Sequence, residues 1–149
     1  MTQKPKILIA NGPNLGILGR RQPGIYGTES LDAVVEAVRR RVGAAAEVEH
    51  LQTNHEGVLI DRLNDIAHDP LYLGVILNAG AWTHTSLAVA DAVAAMDTPV
   101  IEVHISNVYA REGIRHTSLI APACRGVIAG LGTHGYVLAA DYLVSLVGK

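Results

Sequence analysis

The sequence has one cysteine, few charged residues and no lysine between Lys6 and Lys149. The single Cys124 cannot form a disulfide within the chain, and a cysteine without a cluster of other ligands does not indicate a metal site. The 149 residues carry a net charge of −2, so nothing indicates a nucleic-acid partner or a polybasic membrane patch. We therefore expect a single domain over residues 1–149.

Long apolar runs are also missing. The first residues read MTQKPK, and only the four apolar residues 7–10 precede Asn11, which predicts that there is no signal peptide. No run approaches the roughly 18 residues that a membrane span needs. These absences favour a cytoplasmic protein without a membrane segment.

The low content of charged residues favours an oligomer. Charged residues make up 17% of the chain, against about 25% in a typical soluble domain. A small monomer must cover a large surface with polar groups, so the deficit suggests that some surface is buried between copies of the chain. The alternative is a sequence that is simply rich in alanine.

Short β-branched runs alternate with stretches of helical periodicity, which predicts an α/β fold with a parallel sheet and helices on both faces. The length and the five strands favour a flavodoxin-like three-layer fold with strand order 2-1-3-4-5. The predicted strands are 6–10, 46–53, 73–78, 99–106 and 126–132, and the predicted helices are 28–43, 55–68, 83–96 and 133–148.

Polar residues follow three of the predicted strands at their carboxyl ends, where open parallel sheets bind ligands. They are Asn11 and Asn14, residues 78–84, and residues 106–115. The chain has no GxxxxGK[ST] or GxSxG motif and no GxGxxG after its first strand, which excludes three standard sites. The glycine-rich segment 15–27 is long for a loop in a compact domain, which favours a lid.

The strand at 99–106 carries ionisable groups on one face. Because side chains alternate along a strand, Glu102, His104 and Ser106 share a face opposite Ile101 and its apolar neighbours. The carboxylate of Glu102 could fix the tautomer of His104 or support its cation. A satisfied core histidine is the alternative. The histidines lack the close paired spacing of metal ligands, which favours metal-free acid–base chemistry on a small anionic ligand.

Tyr26 follows two arginines in the stretch RRQPGIYG at 20–27. Only about 0.1% of a free phenol is ionised at pH 7, and a neighbouring arginine stabilises the phenolate that could act as a base. A packing or cation–π pair is the alternative.

The helical stretch 83–96 holds two further candidates. Asp91 is its only charge, either on a solvated face or facing a partner, and His84 could be an ordinary first-turn residue.

Five motifs together resemble those of the type II 3-dehydroquinate dehydratases of the shikimate pathway, in the same order and spacing over nearly the whole chain. They are NGPNLGILGRR.P..YG, NHEG, LNAG..THTS, IEVHISN...RE and GVI.GLG..GY. The resemblance implies a flavodoxin-like fold, a dodecamer built from trimers, and no cofactor. It also implies dehydration of 3-dehydroquinate to 3-dehydroshikimate through an enolate.

The resemblance also implies roles for individual residues. Tyr26 resembles the base, Arg21 the arginine that favours its phenolate, and Asn14 the residue that holds a water near the enolate oxygen. His104 resembles the acid that protonates the departing hydroxyl, held by Glu102. The implied substrate-binding residues are Asn78, His84 and Arg115 for hydroxyls, Ile105 and Ser106 for the carboxylate, Arg111 near the lid, and Asp91 from a neighbouring subunit.

Some positions depart from the family pattern, and other classes of protein compete with it. Gln22 replaces a common Glu, Gly113 and Ile114 a common Glu-Phe, and Ala90 a frequent Arg. The unrelated type I enzymes form a lysine Schiff base, for which this chain has no interior lysine. The competing classes are a flavodoxin-like flavin or nucleotide binder and a non-catalytic oligomeric binding protein.

Overall fold

The computed structural model describes residues 3–149, which form one parallel sheet of five strands in the order β2-β1-β3-β4-β5. This confirms the predicted fold and strand order. The strands are β1 (Lys6–Asn11), β2 (Glu47–Gln52), β3 (Tyr72–Asn78), β4 (Val100–His104) and β5 (Gly126–Ala129). The α-helices are α1 (Pro23–Tyr26), α2 (Leu31–Val42), α3 (Glu56–Ile66), α4 (Leu87–Ala94) and α5 (His134–Val144).

Helices cover both faces of the sheet, and each face has its own apolar core. Ile9 and Val103 pack in the core beneath α2 and α5, together with the fully buried Tyr136. Leu8 and Leu77 pack in the core beneath α3 and α4. Successive strand residues enter opposite cores, as the two-residue period of a strand requires. No helix within residues 3–149 combines the length and the apolar character needed to cross a bilayer.

The ends of α2 follow from local chemistry. Ser30 precedes the helix, and its Oγ accepts a hydrogen bond of 3.2 Å from the Ala33 N–H, which satisfies one of the free donors of the first turn. Gly43 ends the helix with a φ of +57°, a conformation that costs glycine little. The sequence pattern offers Thr28 or Ser30 as the cap and Gly43 as the end of this helix, and in the structure the cap is Ser30.

The start of α4 and the cap of α3 differ from the prediction. Residues 80–84 form a 3₁₀ turn, and α4 begins only at Leu87, where Ser86 Oγ accepts from the Val89 N–H at 3.0 Å. Asparagine is a common capping residue, so the sequence predicts Asn54 as the cap of the helix at 55–68, but His55 occupies the cap position and its side chain caps nothing. The Asn54 side chain is used elsewhere, because it contacts the loop after β1.

Candidate active site

The strands deliver polar side chains to one edge of the sheet. Asn11 and Asn78 are register partners at the carboxyl ends of β1 and β3, and His104 ends β4. In a parallel sheet all carboxyl ends lie along the same edge, so these residues and the loops that follow them are neighbours. Lys6 begins β1 and therefore lies at the opposite edge.

Tyr26 lies between two arginines from distant parts of the chain. Arg111 Nη1 donates a hydrogen bond of 2.7 Å to the Tyr26 hydroxyl, and the Arg21 guanidinium carbon lies 4.4 Å from the centre of the ring. The tyrosine is only 8% exposed. Two guanidinium groups therefore lie next to one buried hydroxyl. The arginine that contacts the oxygen is Arg111, whereas Arg21 stacks on the ring.

The same Arg111 approaches the segment that follows β4. Its Nη1 lies 3.4 Å from Ser106 Oγ, at the limit of a weak hydrogen bond. The buried Ile105 precedes this serine, and the Ile105 carbonyl already accepts from the Gly132 N–H at 3.1 Å. A carboxylate bound at the serine hydroxyl would therefore lie beside a guanidinium, which is a favourable place for an anion.

His104 and Glu102 form a buried pair. The distance between His104 Nε2 and Glu102 Oε2 is 2.5 Å, and Glu102 is 1% exposed. Ser118 Oγ donates to the other carboxylate oxygen at 3.0 Å, so both oxygens of the buried charge have partners. Because the carboxylate accepts, the His104 proton is held on Nε2 and the other ring nitrogen stays free for chemistry.

A second histidine lies beside this pair. The rings of His84 and His104 are stacked with their centres 6.3 Å apart. His84 Nδ1 lies 2.9 Å from the carbonyl oxygen of Thr117. A carbonyl oxygen can only accept, so His84 Nδ1 donates, and in the neutral ring His84 Nε2 is left as an acceptor. Both histidines and Arg115 line a cavity of about 20 Å³, roughly the space of one water. Arg115 is oriented by Glu112, whose Oε1 lies 2.5 Å from its Nε.

Asn14 adopts a left-handed conformation at the start of segment 15–27. Its φ is +68°, and its backbone N–H donates a 3.0 Å hydrogen bond to Asn54 Oδ1. Gln52 Nε2 donates to that same oxygen at 3.2 Å and to the Gly12 carbonyl at 3.0 Å. Asparagine tolerates this region of φ better than most residues. The end of β2 therefore holds the loop that carries Asn14.

Asn78 is nearly buried, and most of its amide is already bonded. Its Nδ2 donates to the Tyr136 hydroxyl at 2.9 Å, and its Oδ1 accepts from the Gly80 N–H at 3.1 Å. One N–H and one lone pair remain for a ligand.

Asp91 is exposed on α4, outside these clusters. Leu87 lies one helical turn before it and is 68% exposed. Residues four apart share a helix face, so a carboxylate and a large apolar side chain face outward together. This face of α4 therefore offers one charged and one apolar side chain.

Several predicted residues are thus brought together. Tyr26 and Arg21 meet Arg111 and Ser106 in one cluster, while Glu102, His104, His84 and Arg115 form another. Sequence reasoning missed three supporting residues, Asn54, Ser118 and Tyr136. The motifs NHEG and G..GY contain the first and the last, whereas no pattern singled out Ser118. Among residues 3–149, no three His, Cys, Asp or Glu side chains form a group that could hold a metal ion.

The fold and the clusters define a flavodoxin-like α/β protein with titratable and cationic side chains at the carboxyl ends of its strands. A family model described as Dehydroquinase class II matches residues 5–144. The chain therefore belongs to the type II dehydroquinase family.

Individual relatives cover nearly the whole chain. A 3-dehydroquinate dehydratase of Rhizobium johnstonii is 49% identical over 149 residues, which cover 98% of this chain and 99% of the relative. One from an Exiguobacterium species is 52% identical over 139 residues, 93% of this chain and 94% of the relative. The crystal structure of a type II dehydroquinase from Propionibacterium acnes superposes with a TM-score of 0.90 at 41% identity, covering 97% of this chain and 98% of that one.

Proposed function

We propose that this chain, a type II 3-dehydroquinate dehydratase, removes water from 3-dehydroquinate by acid–base elimination through an enolate. Tyr26, as the phenolate, takes the proton from the carbon next to the ketone. His104 then protonates the departing hydroxyl, and 3-dehydroshikimate is released. The observation that carries this proposal is the pairing of each group: Tyr26 lies against Arg111 and Arg21, and His104 against the carboxylate of Glu102.

The pairing suits each proton transfer. The arginines favour the charged, basic form of the phenol before the reaction, since they stabilise a negative oxygen. As the acid, His104 would carry a second proton on Nδ1, and the carboxylate of Glu102 at Nε2 would balance the positive charge of that imidazolium. In the enolate stage, Asn14 would hold a water near the enolate oxygen.

Substrate binding is assigned to the groups around these two. Ser106 Oγ and the backbone at Ile105 would hold the carboxylate, next to the guanidinium of Arg111. Asn78, His84 and Arg115 would bind the hydroxyls.

We assign residues 1–149 to one catalytic domain, and residues 15–27 to its lid. Ile17 is 49% exposed and Ile25 is 41% exposed, so this segment has apolar side chains available to cover a bound substrate.

The proposed mechanism needs no lysine imine. Lys6 lies at the edge of the sheet opposite the site, and the hydrogen bond and charge of Glu49 raise the pKa of its ammonium group. An imine forms only from a neutral amine, so this lysine is poorly suited to form one. Lys4 and Lys149 lie near the ends of the chain.

Borohydride tests this prediction. After treatment with borohydride in the presence of 3-dehydroquinate, and removal of both, the enzyme is expected to be fully active, measured with fresh substrate as the rise in ultraviolet absorbance of the conjugated enone product. Intact-protein mass spectrometry should show no added mass. Inactivation together with substrate mass on the chain would contradict the mechanism, and a failure of the untreated enzyme to produce the enone would contradict the function itself.

We also propose that the active site is shared between subunits of a homo-oligomer, with Asp91 reaching a neighbouring site. The supporting observation is the outward pair of Asp91 and Leu87 on α4, together with the low charge content. We keep two predictions of the sequence analysis as part of this proposal: the oligomer is a dodecamer built from trimers, and the protein is cytoplasmic.

Asp91→Ala is expected to raise KM about tenfold without loss of the fold, because a charged hydrogen bond to a site in another subunit is lost. Steady-state kinetics and circular dichroism measure the two effects. Asp65→Ala, which removes an exposed aspartate from α3, is the matched control and should change neither. Dilution that dissociates the assembly should also lower activity, and a fully active monomer in sedimentation runs would overturn the proposal.

A further inference from the structure

Behind the proposed site, four polar side chains form a line of hydrogen bonds through the core. Asn78 Nδ2 donates to the Tyr136 hydroxyl at 2.9 Å, and that hydroxyl donates to Asn11 Oδ1 at 2.6 Å. Asn11 Nδ2 lies 3.2 Å from His50 Nε2. Tyr136 and Asn11 are fully buried. Of the four, the mechanism uses only Asn78.

The fold brings these side chains together on one face of the sheet. Asn11 and Asn78 are register partners on the neighbouring strands β1 and β3, and His50 lies on β2, the other neighbour of β1. Alternation along the strands places all three on the side covered by α2 and α5. Tyr136 reaches them from α5.

The line has one direction because each group has a fixed inventory of donors and acceptors. An amide nitrogen only donates, and a hydroxyl has one proton to give. Burial raises the pKa of the Tyr136 phenol, so it keeps this proton. Since Asn11 Nδ2 donates toward His50, His50 Nε2 must accept. The imidazole is therefore neutral, with its proton on Nδ1.

We propose that Tyr136, Asn11 and neutral His50 are positioning residues that hold the Asn78 amide in one orientation for a hydroxyl of the substrate. This proposal rests on the proposed function, in which Asn78 binds such a hydroxyl. With its Nδ2 directed at Tyr136 and its Oδ1 at the Gly80 N–H, Asn78 presents a defined donor and a defined lone pair. Turning the amide over would place two N–H groups against each other at Gly80.

Protonation of His50 disturbs this arrangement. A proton on Nε2 would face the Asn11 N–H groups, so Asn11 would have to turn its oxygen toward the imidazole. The Tyr136 proton would then lose its acceptor in a buried place, which is costly. Burial likewise lowers the pKa of His50, while two charged groups of α2 act in opposite directions, Asp32 favouring the cation and Arg39 opposing it.

Tyr136→Phe tests the proposal by removing one hydroxyl while keeping the ring that packs in the core. KM is expected to rise about tenfold, while kcat changes less than about threefold, because a binding contact remote from the proton transfers is lost. Tyr142→Phe is the matched control. It removes a tyrosine hydroxyl from the same helix, one that accepts from Arg125 Nη1 at 2.9 Å on the surface, and should leave both constants unchanged.

The imidazole of His50 gives a readout that a packing role would not move. Nitrogen NMR of the parent protein should show the neutral ring protonated on Nδ1, with a pKa below the ordinary value. Tyr136→Phe should raise the pKa of His50, because Asn11 becomes free to turn. His50→Gln should retain the parental KM, since its amide oxygen can accept from Asn11, whereas His50→Leu should raise KM as Tyr136→Phe does.

Asn78→Ala distinguishes failure of the positioning role from failure of the proposed substrate contact of Asn78. If it raises KM while Tyr136→Phe leaves KM and the His50 titration at parental values, the positioning role is overturned and the substrate contact stands. An unchanged KM in Asn78→Ala would remove Asn78 from the proposed function, and the positioning role with it. If the neutral imidazole of His50 in the parent protein carried its proton on Nε2, the positioning role would be overturned even if no variant folds.

Discussion

Tyr26→Phe is expected to lower kcat by about three orders of magnitude, within the range that general base catalysis contributes. The substitution removes only the hydroxyl that we propose as the base. The ring stays in the core, and Arg111 keeps Ser106 as a weaker partner, so the free energy of unfolding should change by no more than about 1–2 kcal/mol. Enone absorbance measures kcat, and thermal unfolding measures stability.

Tyr142→Phe is again the matched control, because its hydroxyl also accepts from an arginine but lies on the surface. Arg21→Ala should lower kcat in the same direction as Tyr26→Phe, since the phenolate loses one of its two neighbouring cations. Near-parental turnover in Tyr26→Phe would mean that another group removes the proton.

Where the alternation of side chains along a strand determines the arrangement of the site, that arrangement could be predicted from the sequence. Glu102 and His104 lie two residues apart on one strand, so their shared face follows from the period of a strand, and the structure places them 2.5 Å apart. The strand order was also predicted, from chain length and strand count. Both depend on short-range periodicity or on the small number of topologies that such a chain can adopt.

Contacts between distant segments could not be predicted from pattern. The contact of Arg111 with the Tyr26 hydroxyl joins residues 85 positions apart, and no periodicity relates them. The start of α4 was missed for a similar reason. Ser86 is held by a hydrogen bond to Glu56 at the start of α3, so a tertiary contact decides where the helix begins. Asn54 looked like a cap because local chemistry allowed it, but a contact 40 positions away uses its oxygen.

His104→Ala is expected to separate the two halves of the reaction. Without the acid, loss of the hydroxyl should slow by about two to four orders of magnitude, while Tyr26 and its arginines still form the enolate. The enolate then returns to substrate, so in heavy water the carbon next to the ketone should take up deuterium faster than enone appears. Proton NMR of the remaining substrate and enone absorbance measure the two rates in one sample.

The structure supplies both a graded variant and a control for this prediction. Glu102→Gln keeps most of the shape of the buried partner but removes its charge, so elimination should slow in the same direction as in His104→Ala, because the imidazolium is less favoured. His68→Ala removes an exposed histidine that lies 2.7 Å from Asp97, a similar pair outside the site, and should change neither rate. If exchange and elimination fell by the same factor in His104→Ala, His104 would act before or during enolate formation. Elimination at the parental rate would remove His104 from the mechanism, and the carboxylate behind it would then be a structural partner only.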